Sequence, residues 1–339
     1  MDRRSFIVTS AAVAGSTALT GLKGFNEGPV LAVETILPAA LKPGATMGLI
    51  APGGAVFDRS DVQVTESVLK RFGFNWKHGK TLDLKHGQFA GTDEERAGDL
   101  MEMFMDPEVD AILAVRGGSG TARILPYLDY ELIAQNPKVV CGFSDLTSLL
   151  WTLNAKSGLI AFHGPVGISS WNSFTWNSFQ EVLINAGSTI YTGAKLHPLS
   201  QSAESISGRL VGGNLTCINQ LMGTPWEMPF QERIVFIEEI AEEPYHIDRL
   251  LSQLHLSGKL ENASGILLGG FNRCIAEEPH KQFTVEEVIN HWVQQLSIPV
   301  MHSAKFGHQR DKITLPVGLA VRINTETGTM TLDHPTVKK

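Results

Sequence analysis

Residues 138–165 read KVVCGFSDLTSLLWTLNAKSGLIAFHGP. The apolar run KVVCGF, 138–143, is the length of a short buried strand and breaks at Gly142. DLTSLLWTLNAKSG, 145–158, carries a helical pattern that stops at a glycine, and LIAFHGP, 159–165, returns to an apolar run closed by Gly-Pro. A strand, a helical crossover and a second strand make a parallel pair. Ser144 falls where the first strand turns into the helix.

The same alternation continues outward. ATMGLIAPGG, 45–54, is a strand with a Pro-Gly-Gly turn, and SDVQVTESVLKRFG, 60–73, and DEERAGDLMEMFMDP, 93–107, have helix periodicity. VDAILAVRGGSG, 109–120, is another strand ending in glycines. This order predicts a parallel sheet with helices on both faces, whose sites gather at the carboxyl ends of the strands. Residues 166–205 are rich in Ser, Asn, Trp and Thr around one helical piece, TWNSFQEVLINAG, 175–187, and read as a connection. Beyond it, GRLVGGNLTCINQLMGTPW (208–226) leads to the strand RIVFIEE (233–239) and to a helix from Pro244. SGILLGGF (264–271) is a strand and TVEEVINHWVQQL (284–296) a helix, followed by strands joined at a Thr-Gly turn in 313–335. The expected domains are residues 36–170, a connection at 171–205, and residues 206–339.

Composition excludes several classes of function. Twenty-eight basic against 35 acidic residues give a formal charge of −7, which offers no phosphate-tracking basic face, so no nucleic acid partner is expected. Cys141, Cys217 and Cys274 are odd in number and far apart, which fits neither a disulfide framework nor a CxxC site, and they read as buried fillers. No HExxH, Cys/His cluster or EF-hand loop is present, so no metal or cofactor is expected. MDRRSFIVTSAAVAGSTALTGLKG, 1–24, sets Arg3-Arg4 ahead of a small-residue apolar stretch too short to span a bilayer. Residues 1–35 therefore read as a twin-arginine export signal and linker, with a periplasmic destination and no stable membrane insertion unless the signal is retained.

Ser144 has two readings. At the rim of a sheet, beside the N–H groups of a helix start, a serine suits acyl transfer, yet Ser or Asp before a helix is also what capping uses. A serine nucleophile needs a base, and His163, His246, His302 and His308 are candidates that spacing cannot rank. RGGSG, 116–120, lacks the Walker lysine and the dinucleotide spacing, but its backbone amides suit an anion or oxyanion. In VFIEE, Glu238 and Glu239 must point to opposite faces of their strand, so one of them can face inward.

Taken together, LIAPGG, RGGSG, GFSDLT, HGP, GGNL with GTP, IEEIAEEPYHIDRLL and KFGH resemble, in order and spacing, the LD-carboxypeptidase family of serine peptidases. That family includes muramoyltetrapeptide carboxypeptidases and microcin immunity peptidases, and the resemblance runs from about residue 45 to 325. It implies a Ser-His-Glu triad of Ser144, His308 and Glu238, with Glu239 the substitute if the strand is shifted by one. It also implies oxyanion donors at the N–H groups of Gly118 and Asp145, with Gly117 as rival to Gly118. The expected fold class is α/β, a doubly wound, mostly parallel, flavodoxin-like N-terminal sheet followed by a C-terminal α/β domain with a partly barrel-like sheet. The implied substrate is a murein tetrapeptide cut at the bond to its terminal D-alanine, with a homodimer as the implied assembly. Ser119 stands where the family more often has an aromatic residue, and an export signal is atypical of members that act in the cytoplasm. Competing readings are an amidase acting on peptidyl or aminoacyl nucleotides and a non-catalytic periplasmic peptide-binding protein.

Overall fold

Five short strands follow one another through the first half: β1 (Thr46–Ile50), β2 (Asn75–His78), β3 (Ala111–Ala114), β4 (Val139–Gly142) and β5 (Ala161–His163). A computed structural model describes residues 34–339 except Thr192, so nearly all of the expected export signal lies outside the described residues. Strands β3, β4 and β5 are buried at every position, which is why their sequences are unbroken apolar runs instead of alternating ones. Between them run α1 (Ser60–Arg71), α2 (Asp93–Met105), α3 (Thr121–Ile124), α4 (Tyr130–Gln135) and α5 (Thr147–Ser157), with α6 (Ser173–Leu183) after β5. Thr92 and Glu95 close a capping box at the start of α2, and Gly158, with φ +78°, ends α5 as the sequence predicts.

The strands from β1 to β5 are all parallel and lie in the order β2-β1-β3-β4-β5, the flavodoxin-like order. The chain turns in opposite directions from β1 and from β3, so the loops at their carboxyl ends, Ala51–Gly54 and Arg116–Gly120, flank a crevice.

The second sheet has eight strands. In chain order these are β6 (Thr189–Tyr191), β7 (Lys195–Leu196), β8 (Ser205–Asn214), β9 (Arg233–Ile240), β10 (Gly265–Asn272), β11 (Val300–His302), β13 (Ala320–Asn324) and β14 (Thr329–Leu332), with β12 (Leu315–Val317) placed elsewhere. Helices α7 (Leu215–Gln220), α8 (Pro244–Leu256) and α9 (Val285–Gln295) connect them. β8 to β11 are parallel, while β13, β14 and β6 continue from β8 as an antiparallel meander. The sheet stays open: β6 and β7 are its two ends, and no barrel closes.

Strand β12 (Leu315–Val317) leaves the second sheet and pairs antiparallel with β5, adding a sixth strand to the first. Residues 303–314 therefore cross from β11 in one sheet to β12 in the other, and His308 rides on that crossing. The sheets also meet where the backbone N–H of Asn214, at the end of β8, donates to Thr147 Oγ1 in the first turn of α5, at 3.0 Å. Among the described residues no helix is long and apolar enough to cross a membrane.

Candidate active site

β4 ends at Gly142, Phe143 is extended, and Ser144 takes φ +66° before a single 3-10 turn enters α5. A side chain in the left-handed region costs about 1–2 kcal/mol, so this serine is held in place by its surroundings. The N-cap positions of the turn and of α5, Phe143 and Leu146, make no side-chain cap bond. Against the serine lies Gly117, where a Cβ would stand 3.1 Å from Ser144 Cβ, 3.3 Å from its Oγ and 3.6 Å from the Asp145 nitrogen. Gly118, with φ +116°, packs instead on Gly54, and a Cβ there would come within 2.6 Å of the Gly54 Cα.

Buried bonds hold the glycine loop from behind. The Asp145 carboxylate accepts from the Thr121 N–H at 2.9 Å and from its hydroxyl at 2.5 Å, tying the residue after the serine to the end of the loop. Burial pushes the Asp145 carboxyl above its usual range, against those hydrogen bonds and the attraction of Arg96. Arg96 is wholly buried and donates to Pro52 O at 2.7 Å and Gly120 O at 2.9 Å, clasping the two crevice loops together. Asp93 pairs with it, and burial lowers its guanidinium from the ordinary value.

On the second sheet, alternation separates the two glutamates as expected. Glu238 has no exposed side-chain surface, and its Oε2 lies 2.7 Å from His308 Nδ1 and accepts the His308 backbone N–H at 3.3 Å. Glu239 faces α7, where it accepts from Asn214 Nδ2 at 2.6 Å, from the Thr216 N–H and hydroxyl at 2.9 and 2.8 Å, and from the Ile240 N–H at 2.8 Å. The structure thus pairs His308 with Glu238 and gives Glu239 a bracing task at the start of α7. Gly307, at φ +81°, allows the close approach, since a Cβ there would fall 2.5 Å from Glu238 Oε2.

The two halves adjoin through Phe143, whose ring centroid is 4.8 Å from that of His308. The His308 side chain is 16% exposed, so one edge of the pair reaches solvent. The other candidate histidines go elsewhere. His246 meets Glu242 at 2.8 Å on α8, and His302 faces His197 with ring centroids 5.1 Å apart. His163 is buried among Phe143, Phe236 and Phe306 with neither ring nitrogen hydrogen-bonded, and burial pushes its pKa down to about 3. The three cysteines are buried and unpaired, and among the described residues no group of three or more His, Cys, Asp or Glu is placed to hold a metal ion.

Sequence reasoning passed over Arg96 and Gly307. Arg96 carried a signal: it sits beside Ala97 and four residues before Leu100 on the buried stripe of α2, where an arginine has to find partners. Gly307 carried a weaker one, a glycine directly before His308.

Comparison with known proteins agrees with this architecture. Residues 47–164 match the LD-carboxypeptidase N-terminal domain and residues 207–323 the LD-carboxypeptidase C-terminal domain. The chain is 37% identical over 302 residues to a probable murein peptide carboxypeptidase of Bacillus subtilis, covering 87% of this chain and 94% of the relative. It is 30% identical to the microcin C7 self-immunity protein of Escherichia coli, over 85% of this chain and 93% of that one. The crystal structure of a muramoyltetrapeptide carboxypeptidase from Oxalobacter formigenes superposes with a TM-score of 0.76 at 33% identity, over 87% of this chain and all of that one. With both domains matched and the relatives covered nearly end to end, the chain belongs to the LD-carboxypeptidase family of serine peptidases and is an enzyme of that class.

Proposed function

We propose that this enzyme removes the terminal D-alanine from murein tetrapeptides by a serine mechanism, after export to the periplasm. The observation that carries the reading is the fully buried Glu238 bonded to His308 Nδ1, on a loop that packs against the residue preceding a strained Ser144. A buried carboxylate on Nδ1 fixes the tautomer that leaves Nε2 free to accept a proton.

In this mechanism Ser144 Oγ attacks the carbonyl carbon of the scissile amide while His308 Nε2 takes the hydroxyl proton, and Glu238 stabilises the imidazolium. The tetrahedral oxyanion accepts hydrogen bonds from the Gly118 and Asp145 N–H groups. The direction of the first donor has support: Gly117 O accepts the Gly54 N–H at 3.2 Å, and across a trans peptide the Gly118 N–H points the opposite way. Collapse breaks the C–N bond, the imidazolium returns its proton to the departing amine, and D-alanine leaves with an ester on Ser144. Water, deprotonated by His308, then hydrolyses the ester and restores the hydroxyl.

The test incubates purified wild type and Ser144→Ala with muropeptide tetrapeptides and follows the products by mass spectrometry. Loss of one alanine residue with wild type and none with the variant is expected; intact tetrapeptide with wild type refutes the substrate. A second reading, an amidase for peptidyl or aminoacyl nucleotides, is favoured by the likeness to the microcin C7 self-immunity protein. Release of nucleotide from such a conjugate, with no alanine released from tetrapeptide, selects it.

A further inference from the structure

A carboxypeptidase acts at a free chain end, and the mechanism above leaves the substrate's terminal carboxylate without a partner. That carboxylate lies about 3–4 Å from the scissile carbon, across one nitrogen and one Cα, so its partner stands close to Ser144. The two crevice loops and the segment crossing between the sheets carry four Lys or Arg residues, Arg116, Lys305, Arg310 and Lys312. Lys312 is buried, donates to the Gln309 carbonyl and faces the Phe143 ring. Lys305 and Arg310 are exposed, where pairing with a carboxylate adds little. Arg116 is half-buried and directly precedes Gly117, where a Cβ would stand 3.3 Å from Ser144 Oγ. That places the Arg116 Cα within about 9 Å of the nucleophile, a gap that an arginine side chain and one alanine residue together span.

The head of Arg116 is under-bonded. Nη1 makes one long bond, to the Ala55 carbonyl at 3.3 Å, and stands 3.7 Å from Asp61 Oδ2, outside hydrogen-bond reach. Nε is buried without an acceptor, and Nη2 meets none among the described residues. By contrast Arg123, three residues beyond the same loop, is forked on Asp93 through Nε and Nη2 at 2.9–3.0 Å. A guanidinium carries five N–H donors, and leaving most of them unmet in a half-buried place is costly unless a ligand completes it.

We infer that Arg116 is a specificity-determining residue, whose guanidinium binds the terminal carboxylate of the substrate and so confines cleavage to the last residue of the peptide. The inference rests on the proposed release of D-alanine. Ala55 and Asp61 hold the head from the Nη1 side, which leaves Nη2 to take a carboxylate oxygen in a charge-assisted bond. Arg116 and Gly118 share one loop, so the carboxylate and the developing oxyanion are held at a fixed spacing. Arg96, bonded to Gly120 O and Pro52 O, keeps that loop rigid. With the cation removed, Asp61 faces the substrate's carboxylate alone and repels it.

The experiment measures kcat/KM for release of D-alanine from a murein tetrapeptide and of D-alaninamide from the same peptide amidated at its C-terminus. Wild type, Arg116→Met, Arg116→Lys and Arg310→Met are compared. Wild type is expected to favour the free acid by at least about tenfold. Arg116→Met is expected to lose about 10–100-fold on the acid, mostly as a raised KM, and to keep the amide within about threefold, which also shows that the variant folds. Arg116→Lys is expected to retain part of the preference, because an ammonium keeps the charge without the fork, and Arg310→Met to retain all of it. Equal wild-type rates on acid and amide overturn the inference with the proposed function intact. So does an Arg116→Met that retains the preference or loses both substrates alike, or an Arg310→Met that abolishes the preference. Wild type that cuts neither peptide refutes the proposed function, and the inference falls with it.

Discussion

Gly307→Ala tests whether the Glu238–His308 contact depends on a missing side chain. At φ +81° an alanine pays about 1–2 kcal/mol for the left-handed backbone. Its Cβ would also fall 2.5, 2.6 and 2.7 Å from Glu238 Oε2, Cγ and Cβ, far inside van der Waals contact. Glu238 is wholly buried and cannot swing into solvent, so either the loop lifts or the carboxylate turns off His308 Nδ1. Overpacking of this kind costs about 1–3 kcal/mol, giving a total near 2–5 kcal/mol. For a chain of this size about 2 °C of Tm is lost per kcal/mol, so thermal unfolding should move down by about 4–10 °C. Activity should fall much further, because the lost bond sets the imidazole tautomer. Losing that function in a serine triad costs up to about 10⁴ in kcat, and about 10²–10⁴ is expected here. Alanine release and calorimetry on the purified variant measure both. A variant with wild-type kcat refutes the claim that this approach aligns the base, whatever its Tm.

Glu239→Gln should separate the twin glutamates. An amide cannot accept from all of Asn214, Thr216 and Ile240, so about 1–3 kcal/mol of stability is expected to go while the pH profile of alanine release keeps its shape; a vanished base limb would return Glu239 to the triad. His163 should make folding sensitive to acid. Its folded pKa of about 3 lies below the unfolded value near 6.5, so the unfolded chain binds the extra proton between those limits and stability falls as pH drops through them. Between pH 6.5 and 4.5 the loss assigned to this residue is about 2–3 kcal/mol. Urea melts at the two pH values should show a correspondingly smaller difference in His163→Phe, and an equal difference in both proteins would refute the assignment.

The first sheet was legible because its strands are buried on both faces and its helices carry their own stops. KVVCGF could be read without any knowledge of its neighbours, as could the glycine that ends α5. β2 was passed over because Asn75–His78 is polar and largely exposed at the sheet edge, where no apolar pattern is demanded. β6 and β7 have only three and two residues, too few for periodicity to show. Residues 313–335 read correctly as strands, but not the sheet each one joins. Leu315–Val317 pairs with β5 more than 150 positions earlier, and nothing local in its sequence encodes so distant a partner.

That crossing strand also explains why His308 could not be singled out from spacing alone. A loop anchored at one end in β11 and at the other in β12 must pass over the seam between the sheets, and the residue at its middle reaches both the buried end of β9 and the ring before Ser144. His302, six residues earlier, is still inside β11 and faces His197, and His163 lies within β5 under a layer of aromatics. Of these three histidines only 308 lies where the chain is free of sheet hydrogen bonding, and its Nδ1 meets a carboxylate. The pairing of His308 with a carboxylate is therefore a property of topology, which no local spacing encodes. The choice between Glu238 and Glu239 was different. Strand alternation sends the two to opposite faces, and a one-residue slip would have put Glu239 where Glu238 stands. What fixes the register on the structure is a pair of neighbours the sequence does not mark: Phe236, two residues before Glu238 on the same face, packs on His163, while Glu239 is claimed by the start of α7. Shifting β9 by one residue would bury an unpaired carboxylate on one face and leave the α7 N–H groups unmet on the other, a cost the fold avoids by giving each acid a hydrogen-bonded partner where it stands.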